Sequence, residues 1–236
     1  MSSVITPEFV QALSYLFTQK TTTSEFYLKP LNTAVFYDTG GNVVAVTNQL
    51  SVKYSAGSLS IICDFIPETS ATLASVKVGN TYNGIFTPYF TLPINNQYVE
   101  KGQLYEASIS VNLNQVFLVT SPFKKAQINV SRLVEEIASI LAGNPLHAGK
   151  TGQFFDAIYI INTKSNVSQS YRIPITIATT TPTLLVGGIV QQTVYGNEIA
   201  LRDANQNDLI LVTSNEVIRF RAGKQIVFEF TFVLPQ

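Results

Sequence analysis

The second half of this chain retraces the order of the first, and that repetition limits the folds open to it more than any other feature. A shift of 124 residues carries Phe9, Val10, Leu13, Leu16 and Phe17 onto Leu133, Val134, Ile137, Ile140 and Leu141, so one helical apolar stripe overlays another. The same shift carries Phe36, Asp38 and Thr39 onto Ile160, Asn162 and Thr163. Towards the end of each half the shift becomes 121. Phe90 then meets Leu211, Val99 meets Phe220 and Gly102 meets Gly223. Tyr105, Ala107, Ile109, Val111 and Leu113 meet Ile226, Phe228, Phe230, Phe232 and Leu234. So small a drift over so long a span is what a duplication with loop insertions and deletions produces. The strands in the middle of each half show no comparable match.

Each half begins as a helix. Thr6 is placed to cap the first, with Pro7 at the favoured first helical position and Glu8 in the first turn. The second runs from Val130 to Leu141, with Asn129 or Ser131 near its start and Gly143 at its end. Strand signals follow each helix. Val35 to Tyr37 and Val43 to Val46 flank the turn Asp38-Thr39-Gly40-Gly41-Asn42 as a hairpin. Leu50 to Tyr54, Ser58 to Ile66 and Leu73 to Val78 read as strands, with Pro67 ending the second of these. Ile85 to Leu92 reads as a strand ending at Pro93, with a turn at Asn95 to Gln97, and Leu104 to Leu113 is a long alternating strand. The second half gives strands at 154–161, 171–178, 184–194, 198–201, 209–212, 217–220 and 225–234. The fold class expected is mainly β: two tandem antiparallel β-sandwich, jelly-roll-like domains at residues 1–120 and 121–236, each preceded by a short helix.

Charge narrows the function classes. Only 13% of residues are charged, and 15 Lys and Arg balance 15 Asp and Glu, so a dedicated nucleic-acid grip is not expected. Lys124-Lys125 is the one basic pair and reads as a solvated linker. Apolar residues make up 46% and mean hydropathy is +0.21, enough to fill a core. A surface of amides and hydroxyls has few ion pairs for acid or salt to disrupt. It suits a particle in harsh surroundings, or a chain that buries much of its surface against neighbours. The start, Met1 to Pro7, does not read as a signal peptide, and no run reaches the length of a membrane span. Synthesis in a host cytoplasm is expected.

The catalytic inventory is thin. His147 is the single histidine and Cys63 the single cysteine, so neither a multi-histidine metal site nor a zinc set is expected. Cys63 reads as a small buried hydrophobe. No G-x-S-x-G nucleophile turn is present. Asp38, Asp64 and Glu68 are the candidates for a paired-carboxylate site, but turn chemistry explains each. Glu135 and Glu136 read as the solvated face of the second helix. Asp203, Asn205, Asn207 and Asp208 loosely suggest a calcium loop, and a β-turn explains them better. Gly40-Gly41 and Gly187-Gly188 read as turn or bulge glycines. No catalytic, cofactor-binding or metal-ligating residue is expected, and no enzyme activity.

The segment Ile5-Thr6-Pro7 to Phe17, the stretch from Ile66-Pro67-Glu68-Thr69 to Leu73, and Val99-x-Lys101-Gly102 to Leu113 resemble small phage tail and virion structural modules. The Thr/Asn/Gln-rich, Trp-free composition also looks like virion proteins of hyperthermophilic, acid-dwelling archaeal viruses. The resemblance implies a β-sandwich that assembles with copies of itself and other virion proteins into a ring or shell, as a tail, nozzle or capsid component of the virion. A glycan-binding adhesin, recognising a host glycan through loop aromatics, is the alternative.

Overall fold

The computed structural model describes residues 4–18, 28–120, 126–143, 154–165, 169–180 and 183–232. His147 and the Lys124-Lys125 pair lie outside them. The chain is mainly β, with two α-helices among the described residues.

The first half runs β1 (Val4–Ile5), α1 (Pro7–Thr18), β2 (Thr33–Asp38), β3 (Val43–Thr47), β4 (Leu50–Ser55), β5 (Ser58–Phe65), β6 (Ala71–Tyr82), β7 (Ile85–Val99) and β8 (Tyr105–Asn112). A 3-10 turn at Leu113–Gln115 leads to β9 (Phe117–Thr120). Then follow β10 (Gln127–Asn129), α2 (Ser131–Leu141), β11 (Ala157–Asn162), β12 (Gln169–Pro174), β13 (Thr176–Thr180), β14 (Thr183–Ile189), β15 (Val194–Arg202), β16 (Asp208–Phe220) and β17 (Gln225–Phe232).

Four sheets result, in the orders β1-β7-β6-β2-β3 and β4-β5-β8, then β10-β16-β15-β11-β12 and β13-β14-β17-β9. Replacing each strand of the first pair by its counterpart in chain order gives the second pair, with β9 added at the end. The middle strands thus correspond in register where their sequences do not. Leu59, Ile61 and Cys63 of β5 face Val111, Ile109 and Ala107 of β8. Leu184 and Val186 of β14 face Phe230 and Phe228 of β17. One residue pairing needs correction. The row Ala34–Val78–Phe90 corresponds to Ile158–Leu201–Ile210, which puts Phe90 opposite Ile210 rather than Leu211. Such a one-residue slip matters because it turns a side chain to the other face of the sheet.

Consecutive strands form hairpins within one sheet (β2–β3, β4–β5, β6–β7 and their counterparts), whereas a jelly-roll-like order would send consecutive strands to opposite sheets. The two sheets of the first half face one another through Phe36 of β2 stacked on Phe65 of β5, centroids 4.0 Å apart.

The helices form as their sequences dictate. Phe9 N–H donates to Thr6 Oγ1 at 3.2 Å, and Ser131 N–H donates to Asn129 Oδ1 at 2.9 Å. Gly143 ends α2 at φ +76°, where a side chain would be strained. Each helix packs on its own large sheet and also on the opposite half: α1 on β7 and β13, α2 on β16 and β4. Phe17 of α1 meets Phe155 at 4.9 Å and Phe230 of β17 at 5.6 Å between centroids. Most buried apolar residues of both halves accordingly form one continuous cluster, and Ala157, Tyr159, Ile161 and Ala200 form a small separate one in the second half. Each fully buried Phe or Leu in it contributes about 1.5–3 kcal/mol by leaving water.

The strands depart from the expected boundaries where local signals mislead. Pro88 and Pro93 sit inside β7, which continues to Val99 through the expected turn at Asn95 to Gln97. β7 lies next to an edge: β1 pairs it only at Phe90 and Thr91, so neither proline removes a needed donor on that side. The segment 171–178 divides into β12 and β13 after Pro174, and the two join different sheets. Gly187-Gly188 is neither turn nor bulge. It lies inside β14, where a Cβ on Gly188 would come within 2.5 Å of the Pro174 carbonyl oxygen, so glycine permits the close approach of β12.

Candidate functional site

The candidate carboxylates do not converge. Asp38 closes the β2–β3 hairpin: its Oδ1 accepts from Gly40 N–H and Asn42 N–H, both at 2.8 Å. Bonding from the Asn42 side chain, then from the backbone, holds its carboxyl below the usual range. Asp64 lies in the other sheet, on its exposed face opposite Glu106 of β8. Glu68 is exposed in the turn after β5, its N–H donating to the Val44 carbonyl at 2.9 Å.

The suggested calcium loop is a hairpin turn between β15 and β16. Asp203 Oδ1 accepts from Asn205 N–H at 2.8 Å and Asn207 N–H at 2.9 Å, and Oδ2 from the Asn207 side chain at 2.8 Å. Burial raises the Asp203 carboxyl, but the bonds from Asn207 and Asn205 outweigh it and leave the carboxyl below its ordinary value. Among the described residues, no three His, Cys, Asp or Glu are grouped to hold a metal ion. Cys63 is buried, and burial together with Asp64 pushes its thiol up to about 11, so it stays protonated at neutral pH.

Glu136 departs from expectation. Glu135 is half-exposed, but the Glu136 side chain is only 1% exposed. It pairs with Arg132 at 3.0 Å one turn earlier on α2. Burial raises its carboxyl, Arg132 offsets part of this, and the Asp203 and Glu135 carboxylates raise it further. The fold thus brings Glu136 and Asp203 within electrostatic reach. Because α2 is covered on two sides, Ala138 and Ser139 are buried as well. An apolar stripe in the sequence shows only one of those sides.

Clefts open on the surface among the described residues. One of about 560 Å³ lies between the β4–β5 hairpin and the start of α2, with Tyr54, Asn114 and Glu135 in its walls. A second, of about 480 Å³, lies along the open flank of the first half between β7 and β8. Its floor is apolar, with Phe36, Val76, Leu92 and Ile109. The third, of about 410 Å³, lies beside β12 of the second half and is lined by Tyr171, Arg172 and Gln191. None of the three is lined by Asp38, Asp64, Glu68, Glu136 or Asp203.

Large apolar side chains also face solvent. Ile66 and Leu104 lie one step beyond the Phe65–Tyr105 pair that ends β5–β8, at 55% and 69% exposure. Tyr82 and Tyr98 are exposed at opposite ends of the β6–β7 hairpin, ten residues of β6 apart by register, or about 33 Å at ~3.3 Å per residue. They do not share one loop edge. Among the described residues, no helix is long and apolar enough to cross a membrane. No protein-family model, curated protein or solved structure matches the chain.

Proposed function

We propose that this chain is a non-enzymatic building block that assembles with copies of itself, as a structural component of a virion. The surface supports this reading most directly. Exposed Ile66 follows, and exposed Leu104 precedes, the last pair of one sheet, on a chain of which only 13% of residues are charged. Apolar surface with little charge around it is what a subunit interface needs. The repeated strand order adds to it, because two similar halves present two similar lateral faces to neighbours. The candidate carboxylates are engaged in turns, spread over the two sheets of the first half or closed from solvent.

The test is solution mass, with negative-stain imaging, of the purified chain from about pH 3 to pH 8, a range that spans carboxylate titration. Rings or closed shells are expected, and their symmetry separates a tail or nozzle part from a capsid shell. A strict monomer at high concentration throughout that range overturns the reading.

A further inference from the structure

The two halves differ in one element. β17 is flanked by β14 on one side and β9 on the other, whereas β8, its counterpart, has β5 on one side and no strand on the other among the described residues. The second cleft runs along this open edge, between Ala107, Ser108, Ile109 and Ser110 of β8 and the Leu92–Gln97 stretch of β7. The chain itself shows what such a position accepts. β9 pairs antiparallel with β17, Val119 opposite Phe230 and Leu118 opposite Thr231. Val119 packs against the core, while Leu118 is 64% exposed. Under the shift of 121, Phe230 corresponds to Ile109 and Phe228 to Ala107. Phe230 and Phe228 are fully covered, whereas Ile109 and Leu92, on the floor of the open cleft, keep 8% exposure each.

We propose that the open edge of β8 is an acceptor for an extended strand from another polypeptide, uncharged and apolar at alternate positions, lying on β8 as β9 lies on β17. The residue opposite Ile109 points inward onto Phe36, Val76 and Leu92. Its neighbour opposite Ser110 points outward, and the strand's backbone satisfies the free donors and acceptors of β8. β8 is well suited to this: it has no proline, its single charge is Glu106, and its outward positions are otherwise Ser108, Ser110 and Asn112. The proposal does not depend on self-assembly, since the donor is defined by its sequence pattern.

The test uses the full chain and an end-capped peptide of sequence Gln-Val-Phe-Leu-Val-Thr-Ser, that of residues 115–121. Saturable binding is expected, with amide hydrogen exchange at 106–110 slowed by about tenfold or more. Lysine at the second valine of the peptide is expected to weaken binding by about tenfold or more, because it places a charge on the apolar floor. This control leaves the protein untouched. Ala107→Lys should weaken binding equally, and Ser108→Lys, on the outward face, should not. Absence of saturable binding overturns the proposal, and so does protection at 225–232 in place of 106–110. Concentration-dependent dimerisation that shields β8 and excludes the peptide also overturns it, because a second copy's edge is then the occupant.

Discussion

Glu136 is the residue whose environment is most at odds with its chemistry, and it sets a pH dependence of definite sign. Burial raises its carboxyl above the ordinary 4.5, Arg132 notwithstanding. In the window just above 4.5 the folded chain therefore binds more protons than the unfolded chain, and stability falls as pH rises through it. Asp203 acts oppositely: its lowered carboxyl contributes stability that is present above 3.8 and lost as pH falls below it. Replacing Glu136 by Gln removes the first effect alone. The melting temperature of the wild type should drop relative to Glu136→Gln as pH rises from about 4.5 towards neutrality. Parallel curves would show that Glu136 titrates as an exposed carboxylate does.

At the scale of elements, what the sequence makes legible is local. The helix start at Thr6, the Asn129 turn that leads into α2, the Asp38 turn and the inward face of β8 all follow from capping, turn chemistry and alternation, although the cap position of α2 itself is Val130, with no side-chain cap bond. What escapes it depends on partners distant in sequence. β9 is four residues with no alternation long enough to detect, and it exists because β17 offers an edge. β7 continues through two prolines because its outer side is nearly unpaired. Glu136 is buried on a helix face that the pattern marks as solvated, within electrostatic reach of Asp203 in the β15–β16 turn some 67 residues further along the chain. The open edge of β8 is invisible for the same reason, since only the sheet order shows that it has no neighbouring strand among the described residues. Val119→Lys tests the pairing that is present. A charge on the inward side of β9 should cost about 1–3 kcal/mol. It should also speed amide exchange in Phe228 and Phe230 of β17 while leaving β5 unchanged. Equal acceleration in both sheets would mean that β9 supports the whole chain and not one edge.

For the molecule as a whole, the two halves share one core, and Phe17 is a test of how tightly they are joined. It belongs to α1, but among the described residues its ring meets Phe154, Phe155 and Phe230, all in the second half. Phe17→Ala should cost about 3–5 kcal/mol, as large-to-small changes of a buried Phe do. If the core is cooperative, the loss appears in a single unfolding transition reported alike by probes in either half. Two separated transitions would show that the halves melt independently.

The crossing of β9 has a further consequence, during synthesis. β9 ends at Thr120, and the strand that receives it begins only at Gln225. At roughly 5–20 residues per second, a ribosome takes about 5–20 s to make the intervening stretch. For that time the nascent chain carries apolar Leu118 and Val119 without the strand that receives them, beside a β8 edge that has no neighbouring strand among the described residues. Residues 117–120 are thus the segment whose apolar side chains wait longest for their partner strand, and the one most open to mispairing during synthesis.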